Sequence, residues 1–420
     1  MTACEHSVKS SADLHAICSQ ARCFTSAMIT TANSSMFPAV RPFLTVLLPS
    51  VLVPLLIPVL ADEPAAFRTD SDSDDSKPWF QLVEGQFPPA GSAHAFSGEL
   101  YHQDHIERTF IVRADRTDAQ NRSHFDLPVA AEMLPYGAIW YHGAPAALRD
   151  IPIGTHLHGL YYRYDETKEF QPLEIFNNRR SIEAEFTRCL LLEDDFSHSL
   201  RNNRLWRIDS VNLEEMKLIT TQLTDGKPAD STTTFDLQQG TQVCQGRSIA
   251  ELSALQPGQQ VLLNLTWATL YGPGRVVQIW LDEPSRQLAR QHQLDRHRDF
   301  IRQRGFPGKV VAVDNQQRIV TVTLFDIVDR DLYSELSAGD TAGIAVARDT
   351  LAMFDPVNDR KSGPILAVSE VPQQPGSSGI QVQIQPSLLL EGYRPGRIVR
   401  IFPSAWKVVA LPREEEFFGR

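Results

Sequence analysis

The sequence predicts a mainly β protein in which tandem small OB-like β-barrel units are joined by a basic helix. Three observations support this fold class. Short alternating strands are separated by Gly, Asp and Asn turns at roughly ten-residue intervals, as in small barrels. A strand–turn–strand pattern recurs along the chain, which is typical of repeated units. One Arg-rich segment, residues 283–305, interrupts the β pattern and carries the end signals of a helix.

Length and charge limit the classes of protein to which the chain can belong. Its 420 residues exceed one ordinary domain, and its 42% apolar content is enough to give two or three compact units a core. The formal net charge of −11 argues against a general nucleic-acid binder, because binding to phosphates needs clustered Lys and Arg. Nucleic acid is therefore not an expected partner.

The first part of the chain carries an export pattern. Arg41 precedes an uncharged apolar run that ends at Ala61, with small residues placed for signal-peptidase cleavage. We therefore predict a non-translated or disordered extension at 1–35, a signal peptide at 36–61 and an acidic linker at 62–94. The mature protein is expected in the periplasm, the envelope or the extracellular space. An uncleaved membrane anchor is the alternative, since the run approaches the ~20 residues that span a bilayer.

Internal repeats divide the rest of the chain. Each unit opens with a strand, an Asp- or Asn-containing turn and a second strand, and each ends in a Gly-led closing strand. The opening hairpins begin at Ser97, Arg204 and Pro307, and the closing strands align on Gly154, Gly258 and Gly396. The repeats predict β-barrel-like unit 1 at 95–168, a connecting insert at 169–203, unit 2 at 204–282, the basic linker helix at 283–305, unit 3 at 306–412 and a tail at 413–420.

The basic linker helix has a defined start and end. Pro284 and Ser285 open it, and Gly305 closes it. Its six arginines and two histidines could contact an anionic partner, although a solvated face is the commoner fate of such a pattern.

The stretch "GTHLHGLYY", residues 154–162, holds the main candidate for a metal site. Because side chains alternate along a strand, His156 and His158 are expected to point to the same side, about 6.5 to 7 Å apart. His102 and His105 lie in the first hairpin turn of the same unit, and barrel closure could bring that turn to the strand. A His-rich site assisted by a carboxylate suits Zn, Cu or Ni.

Packing of the two rings on a strand face competes with metal binding and is the favoured interpretation. No Cys lies nearby, and no helix carries a His-Glu-x-x-His pattern. We accordingly expect no cofactor, with Zn, Cu or Ni as the alternative. Other side chains replace the two histidines at the aligned positions of units 2 and 3, namely Gln260 and Ile398 for the first and Leu262 and Arg400 for the second.

Motif searches of the sequence identify no catalytic set. The adjacent acids Glu193–Asp195 are typical of a solvated loop or a helix cap. The aromatics of "LPYGAIWYHG", residues 134–143, could form a stacking platform, but burial in a core is favoured. Cys189 and Cys244 could pair in an oxidising compartment or remain separate thiols.

Four segments occur in a recognisable order: "LLLEDDFSH", "LWRIDSV", the Arg-rich "RQHQLDRHRDFIRQRGFPGKVVAVD", and "GSSGIQVQIQPSLLLEGYRPGRIVRIFP". This order resembles an uncharacterised family of exported proteins from planctomycete-type bacteria. The resemblance covers most of residues 95–410 and implies export and OB-like β-barrel repeats. Because that family has no assigned activity, the resemblance supplies no catalytic residues.

These observations predict an exported, non-enzymatic binding or scaffold protein of the envelope or periplasm. Its expected partner is an envelope protein or a polysaccharide, and membrane contact is expected only through an uncleaved signal segment. The alternative is a metal-binding or metal-dependent protein that uses His102, His105, His156 and His158. A weaker alternative is an oligosaccharide-binding OB-type module. The lack of a catalytic motif in the sequence favours a protein that is not an enzyme.

Overall fold

The computed structural model describes residues 67–70, 77–115, 129–162, 188–266, 274–353, 359–407, 409, 411–412 and 415. All of them belong to one compact unit, Asp62–Arg420. The predicted extension and signal peptide lie outside the described residues, so both stay predictions. No helix within the described ranges is long and apolar enough to cross a membrane.

The first of three closed β-barrels consists of five strands and one short addition. They are β1 (His94–Asp104), β2 (Thr109–Ala114), β3 (Val129–Tyr141), β4 (Ala144–Pro145), β5 (His156–Tyr162) and β6 (Arg188–Asp194). The barrel runs in the order β1-β2-β3-β6-β5 and closes onto β1, while β4 pairs with the end of β3. One parallel pair, β3 with β6, completes an OB-like strand order.

The second barrel repeats this order after a short helix, α1 (Asp195–Arg201). Its strands run β7-β8-β9-β13-β12 and close onto β7, and β9 meets β13 in a parallel pairing. Two further strands, β10 and β11, extend the sheet beyond β13. The strand bounds are β7 (Arg204–Asn212), β8 (Lys217–Thr224), β9 (Lys227–Asp236), β10 (Gln242–Gln245), β11 (Ser248–Ala250), β12 (Gln260–Thr266) and β13 (Arg275–Trp280).

A long helix, α2 (Glu283–Arg304), leads into the third barrel. The strands of this barrel are β14 (Phe306–Asp314), β15 (Ile319–Phe325), β16 (Thr341–Ala347), β17 (Lys361–Glu370), β18 (Ser377–Ile384) and β19 (Ile398–Pro403). They close in the order β14-β15-β18-β17-β16-β19, and every pairing is antiparallel. The predicted fold class, tandem barrels joined by a basic helix, is therefore confirmed. Short 3-10 helices occur at Leu148–Asp150, Leu252–Ala254 and Arg330–Glu335.

All three barrels open with the same bulged hairpin. An Asp or Asn at the start of the turn accepts two backbone N–H groups of the turn, which fixes the reversal of the chain. The first strand of each hairpin carries a β-bulge, and the residue that ends the turn has a left-handed backbone. The acceptors are Asp104, Asn212 and Asp314, and the left-handed residues are Arg108, Met216 and Arg318.

The closing strands repeat in similar detail. Gly154, Gly258 and Gly396 have φ angles of 91°, 89° and 88°, a region that favours glycine. Each of these glycines donates its backbone N–H to the first strand of its own barrel, so the closing strand is tied there at the same register in every unit. The acceptors are the carbonyls of Leu100, Ile208 and Val310, at 2.8, 2.7 and 2.9 Å.

Barrels 1 and 3 share an apolar cluster in addition to their own interiors. It contains Tyr136 and Tyr162 from barrel 1 and Phe325 and Phe402 from barrel 3. Tyr136 and Tyr141 are only 8% and 7% exposed. For these two aromatics the core interpretation is confirmed, and they form no stacking surface.

Barrel 1 extends beyond the range that the sequence assigned to unit 1. Its fifth strand, β6, lies inside 169–203, the segment predicted as a connecting insert. This strand is buried on both faces and therefore lacks the alternation of apolar and polar residues that marks the other strands. It also lacks the leading glycine of the closing strands. Unit 1 is thus completed by a strand that the repeat pattern does not reveal.

The two cysteines among the described residues do not form a disulfide. Cys189 is buried in barrel 1 and donates to the carbonyl of Leu191 over 3.1 Å. Burial raises the pKa of the Cys189 thiol, so it stays protonated and unreactive. Cys244 lies half-buried on β10.

Helix α2 buries polar side chains against the barrels. Asp282, which the sequence analysis does not single out, caps its start by accepting a backbone N–H, and Gly305 ends it, as the sequence predicts. Its buried face includes Gln293, His297 and Arg304. Several arginines of the helix form ion pairs with carboxylates of the same chain, so these arginines are already neutralised without an external anion. The pairs are Arg298 with Asp329, Arg302 with Glu335 and Arg304 with Glu415.

Candidate metal centre

His156 and His158 lie on the outside of barrel 1, at the start of β5. Side chains alternate along this strand, and Leu157 between them is buried in the barrel interior. The two imidazole rings are therefore on one side of the strand, with centroids 5.0 Å apart. They face helix α1 and the edge of barrel 2.

A carboxylate from the next strand joins the two histidines. Strand β6 pairs with β5, and Asp194 at its end caps helix α1 by accepting the N–H of Ser197. Asp195, the first residue of that helix, consequently lies over β5. Its Oδ1 atom is 2.7 Å from Nδ1 of His156 and 2.9 Å from Nε2 of His158. One carboxylate oxygen of Asp195 is thus within hydrogen-bond distance of both imidazole rings.

A second carboxylate lies on the other side of His156. Asp115 follows strand β2, and the β1–β2 hairpin carries it to the edge of β5. Its Oδ2 atom accepts from Nε2 of His156 at 2.8 Å and from the hydroxyl of Ser97 at 2.6 Å. Both ring nitrogens of His156 therefore contact carboxylates.

The position of His158 is supported by His198, which belongs to a neighbouring ion-pair network. The imidazole ring of His158 stacks on that of His198, with centroids 3.8 Å apart and planes 13° apart. Nδ1 of His198 lies 2.8 Å from Glu193, a buried carboxylate that also accepts two N–H groups from Arg201. Burial would raise the pKa of Glu193, but His198 and Arg201 outweigh it and hold the pKa below its usual range.

The charges of the site follow from these contacts. Burial disfavours the imidazolium of His156, but the charges and hydrogen bonds of Asp195 and Asp115 outweigh it, so its pKa lies well above the ordinary value. The same pairing outweighs burial at Asp195 and Asp115 and lowers the pKa of each carboxyl. Burial holds the pKa of His158 below its ordinary value. At neutral pH the site thus contains two carboxylates, one imidazolium and one neutral imidazole.

Barrel 2 completes the surroundings of the site. The backbone N–H of Leu265 on β12 donates to the second oxygen of Asp195 over 2.9 Å. The side chain of Asn264 accepts the N–H of Phe196 at 2.9 Å and donates to Asp194 at 2.8 Å. Helix α1 is therefore fixed by barrel 2 at the point where it presents Asp195 to barrel 1.

The donor set fits a transition-metal ion. One ligand atom from each of His156, His158 and Asp195 lies within 4.8 Å of the other two. Metal bonds of about 2.0 to 2.2 Å would require the hydrogen-bonded atoms to move apart by roughly 0.5 Å, within the reach of side-chain rotation. Asp115 would then hold the second nitrogen of His156, as carboxylates commonly do for ligating histidines. Two nitrogens and one oxygen leave a coordination position open.

The structure does not bring His102 and His105 to this group. In the β1–β5 pairing, Glu99 lies opposite His156. His102 lies three residues farther along β1, roughly 10 Å from that point, and His105 lies farther still, in the turn beyond the end of β1. The turn and the start of the closing strand are at different positions along β1, so barrel closure separates them. Within the described residues, the ligand group consists of His156, His158 and Asp195.

Sequence reasoning missed the carboxylates of the site. The sequence predicts a solvated or capping role for the "EDD" triplet, and Asp194 does cap α1, but Glu193 and Asp195 are 1% and 8% exposed and bind histidines. The available signal was the position of this triplet directly after an apolar run and before "FSH". Asp115 carried no signal in the sequence.

Comparison of the chain with protein-family models, with curated proteins and with solved structures finds no match. The resemblance to exported planctomycete-type proteins therefore stays a prediction.

Proposed function

We propose that the chain is a non-enzymatic binding protein of the envelope or periplasm whose ligand is a divalent transition-metal ion. The ion would be held by Nδ1 of His156, Nε2 of His158 and the carboxylate of Asp195. The observation that carries this proposal is the shared oxygen of Asp195, 2.7 and 2.9 Å from the two nitrogens. Imidazole and carboxylate donors together suit Zn, Cu or Ni.

The formal charges of the site also favour a cation. Asp115, Asp195 and the imidazolium of His156 sum to −1 when no metal is bound. A divalent ion that displaces the His156 proton brings this sum to 0, because the ion adds two charges and the proton removes one. The exchange therefore neutralises a partly buried site and is expected to release a proton.

Zinc titration of the purified chain tests the proposal. We expect one Zn²⁺ per chain to remain after dialysis, and the melting temperature to rise with zinc because the folded state binds it preferentially. Changing His156→Gln together with His158→Leu, the side chains found at the aligned positions of unit 2, should abolish both effects. Asp115→Asn should weaken binding by about 10- to 100-fold, since it removes only the orienting partner.

The matched control is His102→Gln together with His105→Gln, which removes two histidines from the same barrel without touching the site. This variant should bind zinc like the wild type. Equal loss of metal in the control and the site variant would contradict the proposal. The proposal would also be contradicted if the wild-type chain retained none of the three metals, Zn, Cu or Ni, above the background level.

A structural role is the competing function, and one contact favours it. Asp195 joins barrel 1 to barrel 2, since it binds both histidines and the N–H of Leu265. If this connection is the whole role, the double change at His156 and His158 should alter stability by about 0 to 2 kcal/mol and leave metal content unchanged. The zinc titration therefore separates the two functions.

A further inference from the structure

A partly open cavity lies away from the candidate metal centre, where barrel 1, helix α2 and barrel 3 meet. Its volume is about 90 Å³. Apolar side chains from all three elements form much of its wall: Ile139 and Leu148 from barrel 1, Ile301 from the helix, and Leu351 and Met353 from barrel 3. A cavity with only such walls would be expected to stay dry and to accept apolar molecules.

Two buried guanidinium groups also line this cavity. Arg108 donates to the carbonyls of Pro135 and Gly137 at 3.0 and 2.8 Å, and Arg400 donates to those of Leu351 and Gly305 at 2.9 to 3.2 Å. Within the described residues, neither guanidinium hydrogen-bonds to or forms an ion pair with a carboxylate. Burial lowers the pKa of Arg108 to about 10 and, together with the nearby arginines, that of Arg400 to about 9, so both stay charged at neutral pH. The cavity therefore holds two cationic side chains that make no direct contact with a carboxylate, although the charge of Glu415 acts on Arg400 from a distance.

Two further polar groups in the cavity wall lack a well-aligned hydrogen-bond partner. His297 on helix α2 is 2% exposed, and neither of its ring nitrogens makes a hydrogen bond of good geometry, although a weaker hydrogen bond with the Ile327 backbone raises its pKa slightly against the effect of burial. The hydroxyl of Thr350 is buried and equally unpartnered. Both residues line the cavity. Buried polar atoms without partners are rare in folded proteins, and here they lie beside unpaired cations.

The rim of the cavity already binds a carboxylate of the chain itself. Glu415 accepts from Arg304 at 2.7 and 2.6 Å and lies 3.5 Å from Arg149. Both arginines line the same cavity. Arginines in this region can therefore bind a carboxylate. Because Arg108 and Arg400 do not contact Glu415, their guanidinium groups are able to bind a second carboxylate.

We propose that the cavity binds a small free monocarboxylate of about two to four carbons, because its volume of about 90 Å³ is well below that of pockets for drug-sized ligands. The carboxylate lies between Arg108, Arg400 and the unpartnered His297 and Thr350, and the short alkyl tail lies against the apolar wall. The apolar wall disfavours phosphate and sulfate, which would need polar partners on every side. The negative net charge of the chain does not prevent anion binding here, because the arginines in the cavity wall determine the charge that the ligand meets.

Isothermal titration of the full chain with acetate, propionate and butyrate tests this site, with butyramide as the neutral analogue of butyrate. We expect saturable binding of one carboxylate per chain, and no binding of butyramide, phosphate or sulfate. Arg400→Gln should weaken binding at least about tenfold, since a charge-assisted pair is lost. Arg302→Gln is the matched control, because this arginine lies on the surface of α2 and pairs with Glu335.

A second variant keeps the test decisive if Arg400→Gln fails to fold. Thr350→Val removes an unpartnered hydroxyl, so it should leave the melting temperature unchanged or higher while weakening carboxylate binding by about three- to tenfold. Absence of saturable binding in folded wild type overturns the proposal, as does equal binding of butyramide or of phosphate. Unchanged carboxylate affinity in Thr350→Val and Arg400→Gln together also overturns it.

Discussion

The imidazole of His156 lies between the carboxylates of Asp115 and Asp195, whereas that of His297 is buried where Asp150 is the carboxylate that acts on it. Burial disfavours the charged form of both rings. At His156 the charge of Asp195 and the hydrogen bonds to both carboxylates outweigh burial, whereas at His297 the charge of Asp150 and the Ile327 backbone do not, so the pKa of His297 falls to about 4. Environment alone thus makes one histidine cationic and the other neutral at the same pH.

The neutral state of His297 predicts a loss of stability in acid. Its pKa is about 4 when folded and about 6.5 when unfolded, so the unfolded chain binds the additional proton first as pH falls. This contribution is complete above pH 6.5 and is lost as pH falls towards 4. The free energy of unfolding should therefore drop by up to about 3 kcal/mol more in the wild type than in His297→Gln over this range.

Urea unfolding at a series of pH values measures this difference. His292→Gln, an exposed position on the same helix, is the control and should follow the wild type. Parallel curves for the wild type and His297→Gln would contradict the prediction.

At the scale of elements, the opening hairpin and the closing strand form one repeated structure. The bulge in the first strand leaves a carbonyl that the closing-strand glycine binds, and this occurs in all three barrels. The left-handed φ of that glycine is required because its N–H must turn towards the bulge while the next residues enter the strand.

Gly258→Ala tests this requirement. No atom lies within 4 Å of the Cβ that the change would add, so the effect comes from the φ of +89° alone. We expect the free energy of unfolding to fall by about 1 to 2 kcal/mol. Gly240→Ala has the same open surroundings without a left-handed φ, and it should stay within about 0.5 kcal/mol of the wild type. Equal effects of the two changes, measured by urea unfolding, would show that φ is not the cause.

The repeated hairpins could be predicted because their signals are local: alternation, an Asp or Asn, and a glycine. The pairing of His156 and His158 on one face was predictable for the same reason. Asp195 and Asp115 were not, because they lie 39 and 41 residues from His156 and reach it only through barrel closure. Strand β6 escaped prediction because burial on both faces removes the alternation.

At the scale of the whole molecule, the barrels contact one another through polar as well as apolar groups. Barrels 1 and 3 share an apolar cluster, whereas barrel 2 meets barrel 1 largely through helix α1 and strand β12. Asn264 is one of the most buried polar residues of that contact, at 1% exposed. Its amide satisfies both the N–H of Phe196 and the carboxylate of Asp194.

Asn264→Ala should therefore weaken the contact between barrels 1 and 2, so that they no longer unfold in a single transition. It leaves the N–H of Phe196 buried without a partner, and we expect a loss of about 2 to 3 kcal/mol. Calorimetry should show an earlier transition for barrel 2 that is absent from the wild-type trace. Gln260→Ala, an exposed side chain on the same strand, is the control and should leave the trace unchanged. A single undisplaced transition in Asn264→Ala would contradict this account of the contact.

The candidate metal centre is assembled from parts that are far apart in sequence, and this has a consequence for biosynthesis. Its histidines precede Asp195 by 37 and 39 residues, and Leu265 follows 70 residues later. At about 5 to 20 residues per second, the ribosome adds the last part roughly 5 to 20 s after the first histidine. For roughly the first 2 to 8 s of that interval, until Asp195 is added, the nascent chain presents two histidines without this carboxylate. For a chain that crosses a membrane before it folds, the ion supply of the receiving compartment would decide which metal the finished site captures.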